Sequence, residues 1–351
     1  FGRNMVTLNG NMLLSKMSTA VRLHKFRALT LRGKVTIINT VVCAKIWYVG
    51  ACVIFSTNFI VKVNHLVFTF LWKNEWVSRR TLVLPPVEGG LGIFHVESRL
   101  AAFRCDHLRR LMIGSSAKWQ IFARYWIGLS LRKWAPALAS NLFAHSEWRP
   151  AFYSKALFEL RQICLKQNSP SPFLQTVKVA YRNLLPSVGL TPRCIMKEPL
   201  IDFVCTWRVM NCGVLDPRAR DVMWRLSHNV LPVRVFLNHI HVTQCVTCPL
   251  CCVSWETTDH LFLQCPVVKP SWNYLWPYIM RIAGIQLSLS REVVLFLNFS
   301  IPNQHKLGAV SCLISEVVYA IWIKRNTVIF EHQKCSSVDI TSLILYRLRT
   351  R

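Results

Sequence analysis

Five cysteines and one histidine fall within 21 residues, CVTCPLCCVSWETTDHLFLQC (residues 245–265). Thiolate and imidazole groups are the ligands that close a tetrahedron around zinc. Cys248 and Cys251 form a Cys-x2-Cys knuckle, and His260 and Cys265 supply a second pair of ligands. Because these four side chains leave no coordination position open, the spacing predicts a structural Zn²⁺ site rather than a catalytic one.

The membership of this ligand set is not fixed by spacing alone. Cys245 makes an overlapping Cys-x2-Cys with Cys248, and Cys252 is a spare thiol. Two further candidates, His239 and His241, lie just upstream. Each of these is an alternative ligand that the sequence leaves open.

The second ligand pair also sets a requirement on the backbone. Thr257 or Thr258 is suited to cap a short helix that carries His260. On a continuous helix of 3.6 residues per turn, His260 and Cys265 would point about 140° apart. The helix is therefore predicted to end near Gln264, and the proline that follows Cys265 favours such a stop.

The chain is strongly basic, with 43 Lys and Arg against 16 Asp and Glu, a formal charge of +27. Residues 1–150 hold 21 of the basic and 5 of the acidic residues. A field of this sign attracts polyanions, nucleic acid first. We therefore expect a nucleic-acid surface, mainly in the first half of the chain.

The cysteine-rich segment itself has the opposite charge. No Lys or Arg occurs between Arg234 and Lys269. Three thiolates and one Zn²⁺ sum to −1, and Glu256 and Asp259 bring the formal charge to about −3. The predicted metal is thus expected to fold this segment and not to hold phosphate.

Composition indicates a folded protein from a reducing compartment. Hydrophobic residues make up 52% of the chain, which is enough to form a core. Nine of the 14 cysteines lie outside the cluster as single residues, and isolated cysteines usually behave as small buried hydrophobic residues. We expect a nuclear or cytoplasmic protein that is not secreted, and, since the sequence begins with Phe1, a fragment of a longer one. Residues 35–55 are apolar, but Asn39 and Lys45 favour a buried helix over a membrane span.

Hydrophobic periodicity predicts a mainly α fold with few strands. Helical spacing recurs in residues 11–30, 35–55, 93–112 and 311–330, whereas residues 77–92 read as a short β-like run followed by a tight turn. The polar, proline-containing stretch 166–173 is the best candidate for a linker.

Several motifs resemble the post-polymerase region of LINE-type (non-LTR) retrotransposon polyproteins. The most specific are CPLC, ETTDHLFLQCP with Trp272 after it, and VSRRTLVLPPVEGGLGIFHVESRLAAFRCDHLRRL. DVMWRLSHNVLPVRVFL, AIWIKRNTVIF and LTLRGKVTIINTVVCAKIWYVG are also similar to segments of that region. The resemblance covers most of the chain outside residues 135–200.

The resemblance implies a thumb-like helical region (1–134), a linker region (135–200) and a small zinc-binding domain with flanking helices (201–351). It implies that RNA, DNA and the rest of the polyprotein are partners, and that the region holds template RNA and target DNA during target-primed reverse transcription. The zinc ligands would be Cys248, Cys251, His260 and Cys265. The basic thumb segments correspond to those that hold Arg32, Lys34, Arg79 and Arg80.

Two departures from the family pattern bear on function. The six Asp residues are never adjacent, so the chain lacks the paired carboxylates of a polymerase and is predicted not to be an enzyme by itself. Cys252 stands where the family usually has Gly, which would cost roughly 1–2 kcal/mol if that position has positive φ.

Aromatic residues beside basic ones suggest where bases could stack, as in Arg132-Lys133-Trp134. Arg132 and Lys133 therefore join the predicted nucleic-acid contacts. Three other interpretations remain: docking onto a missing polymerase domain alone, membrane association through residues 35–55, and thiol-redox chemistry at residues 245–252. We predict partners among RNA and DNA and no membrane.

Overall fold

The computed structural model is mainly helical in the residues that it describes. The residues described are 3–72, 77–113, 118–131, 150–167, 176–186 and 192–350. Two predicted nucleic-acid contacts, Arg132 and Lys133, and residues 168–173 of the linker candidate lie outside these residues.

The predicted mainly α fold is confirmed, since the described residues contain no strand and only one isolated β-bridge, between Thr247 and Trp255. The helices are α1 Arg3–Lys25, α2 Leu31–Ile37, α3 Ala44–Gly50, α4 Thr57–Leu71, α5 Arg79–Val83, α6 Val96–Ile113, α7 Trp119–Leu131, α8 Ala151–Gln167, α9 Val177–Leu184, α10 Arg193–Lys197, α11 Phe203–Met210, α12 Pro217–Ser227, α13 Arg234–His239, α14 Lys269–Ala283, α15 Arg291–Phe296, α16 Gln304–Phe330 and α17 Ser337–Arg349. Short π turns cover Ile38–Val42 and His260–Gln264, and a 3₁₀ turn covers Pro86–Glu88.

The chain forms two compact units that are not consecutive in sequence. The first unit contains Phe1–Leu29, Gly33–Glu75 and Ile93–Val188. The second contains Thr30–Arg32, Trp76–Gly92 and Gly189–Arg351. The boundaries proposed at residues 134 and 200 stay predictions.

Helices α6 to α9 supply one apolar core in the first unit. Leu108, Leu111 and Ile127 are almost fully buried there, together with side chains of α8 and α9. A buried ion pair, in which Arg104 donates two hydrogen bonds to Glu159 at 2.8 and 2.6 Å, links α6 to α8. This pairing is required because an isolated buried charge would be strongly destabilising.

The apolar stretch 35–55 is not the single helix that its hydropathy predicts. The π turn interrupts it at Ile38–Val42, between α2 and α3. Within that turn the Asn39 side chain accepts a hydrogen bond from the backbone N–H of Phe94 at 3.1 Å. The polar residue in the apolar run therefore serves tertiary packing.

The prediction of a β-like run at the start of residues 77–92 is also wrong. Ser78 caps α5 by accepting from the backbone N–H of Thr81 at 3.2 Å, and the helix buries Thr81, Leu82 and Val83. Apolar residues in a run this short do not distinguish a buried helical turn from a strand.

The glycine pair in this segment packs closely against the helices of the second unit. Gly89 has φ +86°, and a Cβ there would lie 2.7 Å from the Trp207 ring. Its carbonyl oxygen accepts hydrogen bonds from Trp224 Nε1 at 3.0 Å and from His228 Nε2 at 2.8 Å. Burial lowers the pKa of His228 to about 4, so the neutral imidazole is the donor at pH 7.

Replacement of Gly89 by alanine is expected to destabilise the second unit by about 2–4 kcal/mol, because positive φ and overpacking add. Gly213→Ala is the matched control: Gly213 has φ +83° but no atom within 4 Å of the added Cβ. Urea unfolding of both variants measures the difference. Equal losses would show that Trp207 moves aside without cost.

Helix α16 has the length and hydropathy of a membrane span. It is the one described helix with these properties, and 56% of its most apolar window is buried inside the protein. A buried core helix passes the same test.

Candidate metal centre

The second unit brings the four predicted ligands together. One ligand atom from each of Cys248, Cys251, His260 and Cys265 lies within 4.8 Å of all the others. A tetrahedral zinc with bonds of about 2.0–2.3 Å separates its ligand atoms by about 3.5–3.8 Å. The four ligand atoms therefore need to move together by only about 1 Å or less to bind the metal. Three thiols and one imidazole are a donor set that suits Zn²⁺, and the chain carries a structural zinc site.

A tight hairpin presents the first two sulfurs. The backbone N–H of Cys248 donates to Ser254 O at 2.7 Å, and that of Cys252 donates to Cys248 O at 2.9 Å. The isolated bridge between Thr247 and Trp255 closes the hairpin. These bonds form the turn that carries both knuckle thiols, and they do so without a regular β-sheet.

The residue after the knuckle has the left-handed backbone that its family position suggested. Cys252 has φ +57°, a conformation that glycine adopts without penalty. Its side chain is exposed, so the thiol is not part of the buried cluster.

Cys252→Gly is therefore expected to stabilise the zinc segment by about 1 kcal/mol, because it removes the cost of a left-handed side chain. The measurement is the urea midpoint of the zinc-loaded chain. Cys252→Ala, which removes the thiol but keeps a Cβ at the same φ, is the control. An alanine variant as stable as the glycine variant would attribute the gain to the lost sulfur.

A π turn allows His260 and Cys265 to face the same point, although they would point apart on a regular α-helix. The N–H of Cys265 donates to the carbonyl of His260 at 2.7 Å, an i→i+5 bond that returns the chain over the histidine. Thr257 Oγ1 accepts from the N–H of His260 at 3.0 Å, and Cys265 itself is extended. The predicted cap and the stop after Gln264 are both present, but the wider turn was not foreseen.

The thiols within the cluster are coupled. A hydrogen bond between Cys248 and Cys265 raises the pKa of Cys248 and lowers that of Cys265. Cys251 Sγ lies 3.3 Å from His260 Nε2. Zinc takes thiolates and neutral imidazole, so metal binding replaces these shared protons and releases them to solvent.

The cluster is tied to α16 through a fully buried ion pair. Glu256 is 0% exposed, and its two oxygens accept from Arg325 Nε at 2.7 Å and from a second Arg325 nitrogen at 2.9 Å. The same carboxylate accepts from the backbone N–H of Arg234 at 2.6 Å, and Arg325 also donates to Pro232 O at 3.1 Å. Arg325, which belongs to the segment AIWIKRNTVIF, therefore links α16 to the segment that carries the zinc ligands.

A second arginine offsets the other acidic residue of the segment. Arg291 donates to Asp259 at 2.9 Å and makes two bonds of 2.7 Å to Glu198. The bond to Glu198 raises the pKa of Arg291. Sequence reasoning missed these two arginines because they lie 32 and 69 residues beyond their partners, with no spacing to connect them.

Trp272, in α14, is fully buried and is bonded to the turn that carries His260. Its indole N–H donates to the carbonyl of Phe262, in the middle of the π turn, at 2.6 Å. A buried indole needs such an acceptor, and the bond fixes the turn that carries His260.

The alternative ligands lie outside the cluster. Cys245 is exposed and accepts from Arg234 Nη1 at 3.3 Å, while the Cys252 thiol faces Pro249 O at 3.8 Å. His239 and His241 are exposed. Among the described residues, the geometry brings together only the set with His260 and Cys265.

The predicted nucleic-acid contacts are in different environments. Arg32 is half-buried and donates to the Asn211 side chain, and burial lowers its pKa. Lys34 is half-buried and donates to Leu71 O at 3.2 Å. Arg79 and Arg80 are exposed in the first turn of α5.

Comparison with known proteins agrees with this geometry. Residues 195–272 match a family model described as zinc-binding in reverse transcriptase. A 95-residue stretch is 33% identical to the Transposon TX1 uncharacterized 149 kDa protein of Xenopus laevis, which is 26% of this chain and 7% of the relative. The chain therefore spans a small part of that relative, and the matches support a retrotransposon-derived reverse transcriptase region, as the motifs predicted.

Proposed function

We propose that this chain, which carries a zinc-binding domain of the reverse-transcriptase type, is a non-catalytic nucleic-acid-binding part of a retrotransposon polyprotein. It would hold template RNA and target DNA during target-primed reverse transcription, in the nucleus. The zinc, held by Cys248, Cys251, His260 and Cys265, would supply folding energy, and a basic surface elsewhere would bind the phosphates.

The observation that carries this proposal is the charge of residues 1–72, most of which belong to the first unit. Residues 1–72 contain no Asp or Glu and nine Lys or Arg. Lys16, Lys25 and Arg27 are exposed on α1 and just beyond it. No carboxylate within this stretch is present to offset them, which favours a partner with many negative charges.

Among the residues named from the sequence, Arg79 and Arg80 remain the best candidates for phosphate contacts, because their side chains are exposed. Arg32 and Lys34 are half-buried, which favours a structural contribution.

The test is the salt dependence of RNA affinity for the zinc-loaded chain. Neutralisation of Lys16, Lys25 and Arg27 by glutamine is expected to lower the slope of log K against log salt by about 2, given roughly 0.7 per phosphate contact. The control variant neutralises three exposed basic residues of the second unit, Lys197, Arg218 and Lys334, and has the same net charge.

Equal losses in both variants would attribute binding to net charge and not to the α1 surface. If the unmodified chain bound RNA weakly and with a flat salt dependence, the proposal would fail. The basic surface would then serve to dock the missing polymerase domain.

A further inference from the structure

Helix α14 has two exposed tyrosines on the face opposite its buried one. Tyr274 and Tyr278 are 50% and 54% exposed, whereas Trp272 and Ile279 on the same helix are buried. The two tyrosine rings lie one helical turn apart, with centroids separated by 5.8 Å and planes tilted by 54°. The protein thus places two large aromatic faces in solvent side by side.

The segment that carries this tyrosine pair is basic and has no carboxylate on either side. From residue 266 to residue 291 the chain has no Asp or Glu. Arg281, which follows Tyr278 by three residues, is exposed. Lys306 reaches the end of the helix, since a Cβ built on Gly284 would lie 2.9 Å from its Nζ.

Aromatic faces beside cations are the combination that binds unstacked bases. Each base has a π face, so stacking on tyrosine tolerates any sequence, and nearby Arg or Lys neutralises the phosphates. Bases inside a duplex are stacked on one another and do not offer their faces to a side chain. The pair therefore discriminates between single strands and duplexes, which a basic surface alone does not.

We propose that the exposed face of α14, formed by Tyr274, Tyr278 and Arg281, binds single-stranded nucleic acid by base stacking. This inference rests on the proposed function and deepens it: α14 binds unpaired bases, while the basic first unit binds phosphates of either single or double strands.

The experiment compares binding of the zinc-loaded full chain to a single-stranded RNA and to an RNA duplex of the same length. Tyr274→Ala with Tyr278→Ala is expected to weaken single-strand binding at least about tenfold, with the salt slope unchanged because no phosphate contact is lost. Duplex affinity is expected to stay within about twofold of the unmodified chain.

Two variants serve as controls. Tyr274→Phe with Tyr278→Phe keeps both rings and is expected to retain single-strand affinity, because stacking needs the ring and not the hydroxyl. Tyr346→Ala removes another exposed tyrosine of the second unit, 66% exposed on α17, and is expected to change nothing. Zinc content and circular dichroism verify that each variant is folded.

The outcomes separate the two proposals. Single-strand affinity that is equal in the double-alanine variant and the unmodified chain would overturn the stacking surface while leaving the proposed function intact. A comparable loss in Tyr346→Ala, or an equal loss on duplex RNA, would also overturn it. Absence of binding to either RNA by the unmodified chain would overturn the proposed function itself.

Discussion

Cys265→Ser is expected to remove the zinc and to unfold the segment around residues 245–272. The Cys265 sulfur is buried in the cluster with Cys248, Cys251 and His260, and serine does not replace a thiolate as a zinc ligand. Binding of a structural zinc is worth about 10–16 kcal/mol in isolated zinc peptides, so loss of most of this energy is comparable with the whole stability of an ordinary domain, about 5–15 kcal/mol. The measurements are bound zinc per chain and limited proteolysis, with cleavage expected in the second unit.

Cys252→Ser is the matched control, because it changes a neighbouring thiol that is exposed and outside the cluster. It is expected to keep about one zinc per chain and the protease resistance of the unmodified protein. Removal of zinc by a chelator is expected to reproduce the Cys265→Ser cleavage pattern. If Cys265→Ser retained both its zinc and its resistance, the assigned ligand set would be wrong.

Arg325→Leu is expected to destabilise the second unit by about 3–5 kcal/mol, because it leaves the charge of Glu256 buried without its partner. Arg325 is 3% exposed and Glu256 is 0% exposed, so water cannot replace the lost bonds without a rearrangement. Since Glu256 also accepts from the backbone of Arg234, its loss of orientation would disturb the start of α13. Urea unfolding of the zinc-loaded protein measures the change.

A double variant tests whether the uncompensated charge is the cause. Glu256→Gln combined with Arg325→Leu is expected to recover part of the loss, because the buried carboxylate is then absent. Arg218→Leu, which alters an exposed arginine of α12, is expected to change stability by less than about 0.5 kcal/mol. A double variant less stable than Arg325→Leu would show that shape, not charge, dominates at this position.

The metal cluster was predictable because its spacing is local. The knuckle and the His-x4-Cys pair lie within 18 residues, so covalent geometry limits where Cys248 and Cys265 can go. The cap by Thr257 and the stop before Cys265 followed from the same reasoning. The i→i+5 turn could not be predicted in this way, because a helix of 3.6 residues per turn was assumed for the residues around His260.

Long-range pairing was beyond the reach of the sequence. Glu256 and Asp259 read as uncompensated charges in a segment without Lys or Arg, whereas the fold brings Arg325 and Arg291 to them. The predicted helix at 311–330 likewise proved to be the last part of α16, with its arginine turned inward. Hydrophobic periodicity predicts which face of a helix is buried. It does not predict which distant charged residue pairs with an arginine on that face.

The interleaving of the two units has a consequence for the order of events during synthesis. The carbonyl of Gly89 and the indole of Trp224 are 135 residues apart, and ribosomes add about 5–20 residues per second. The segment 76–92 therefore waits roughly 7–27 s for helices that do not yet exist. During that interval the side chains of Leu82 and Leu84, which the finished protein buries, belong to a unit whose later helices have not yet been synthesised. A nascent chain of this kind is exposed to aggregation, and chaperones that shield this one short segment would raise the yield of folded protein.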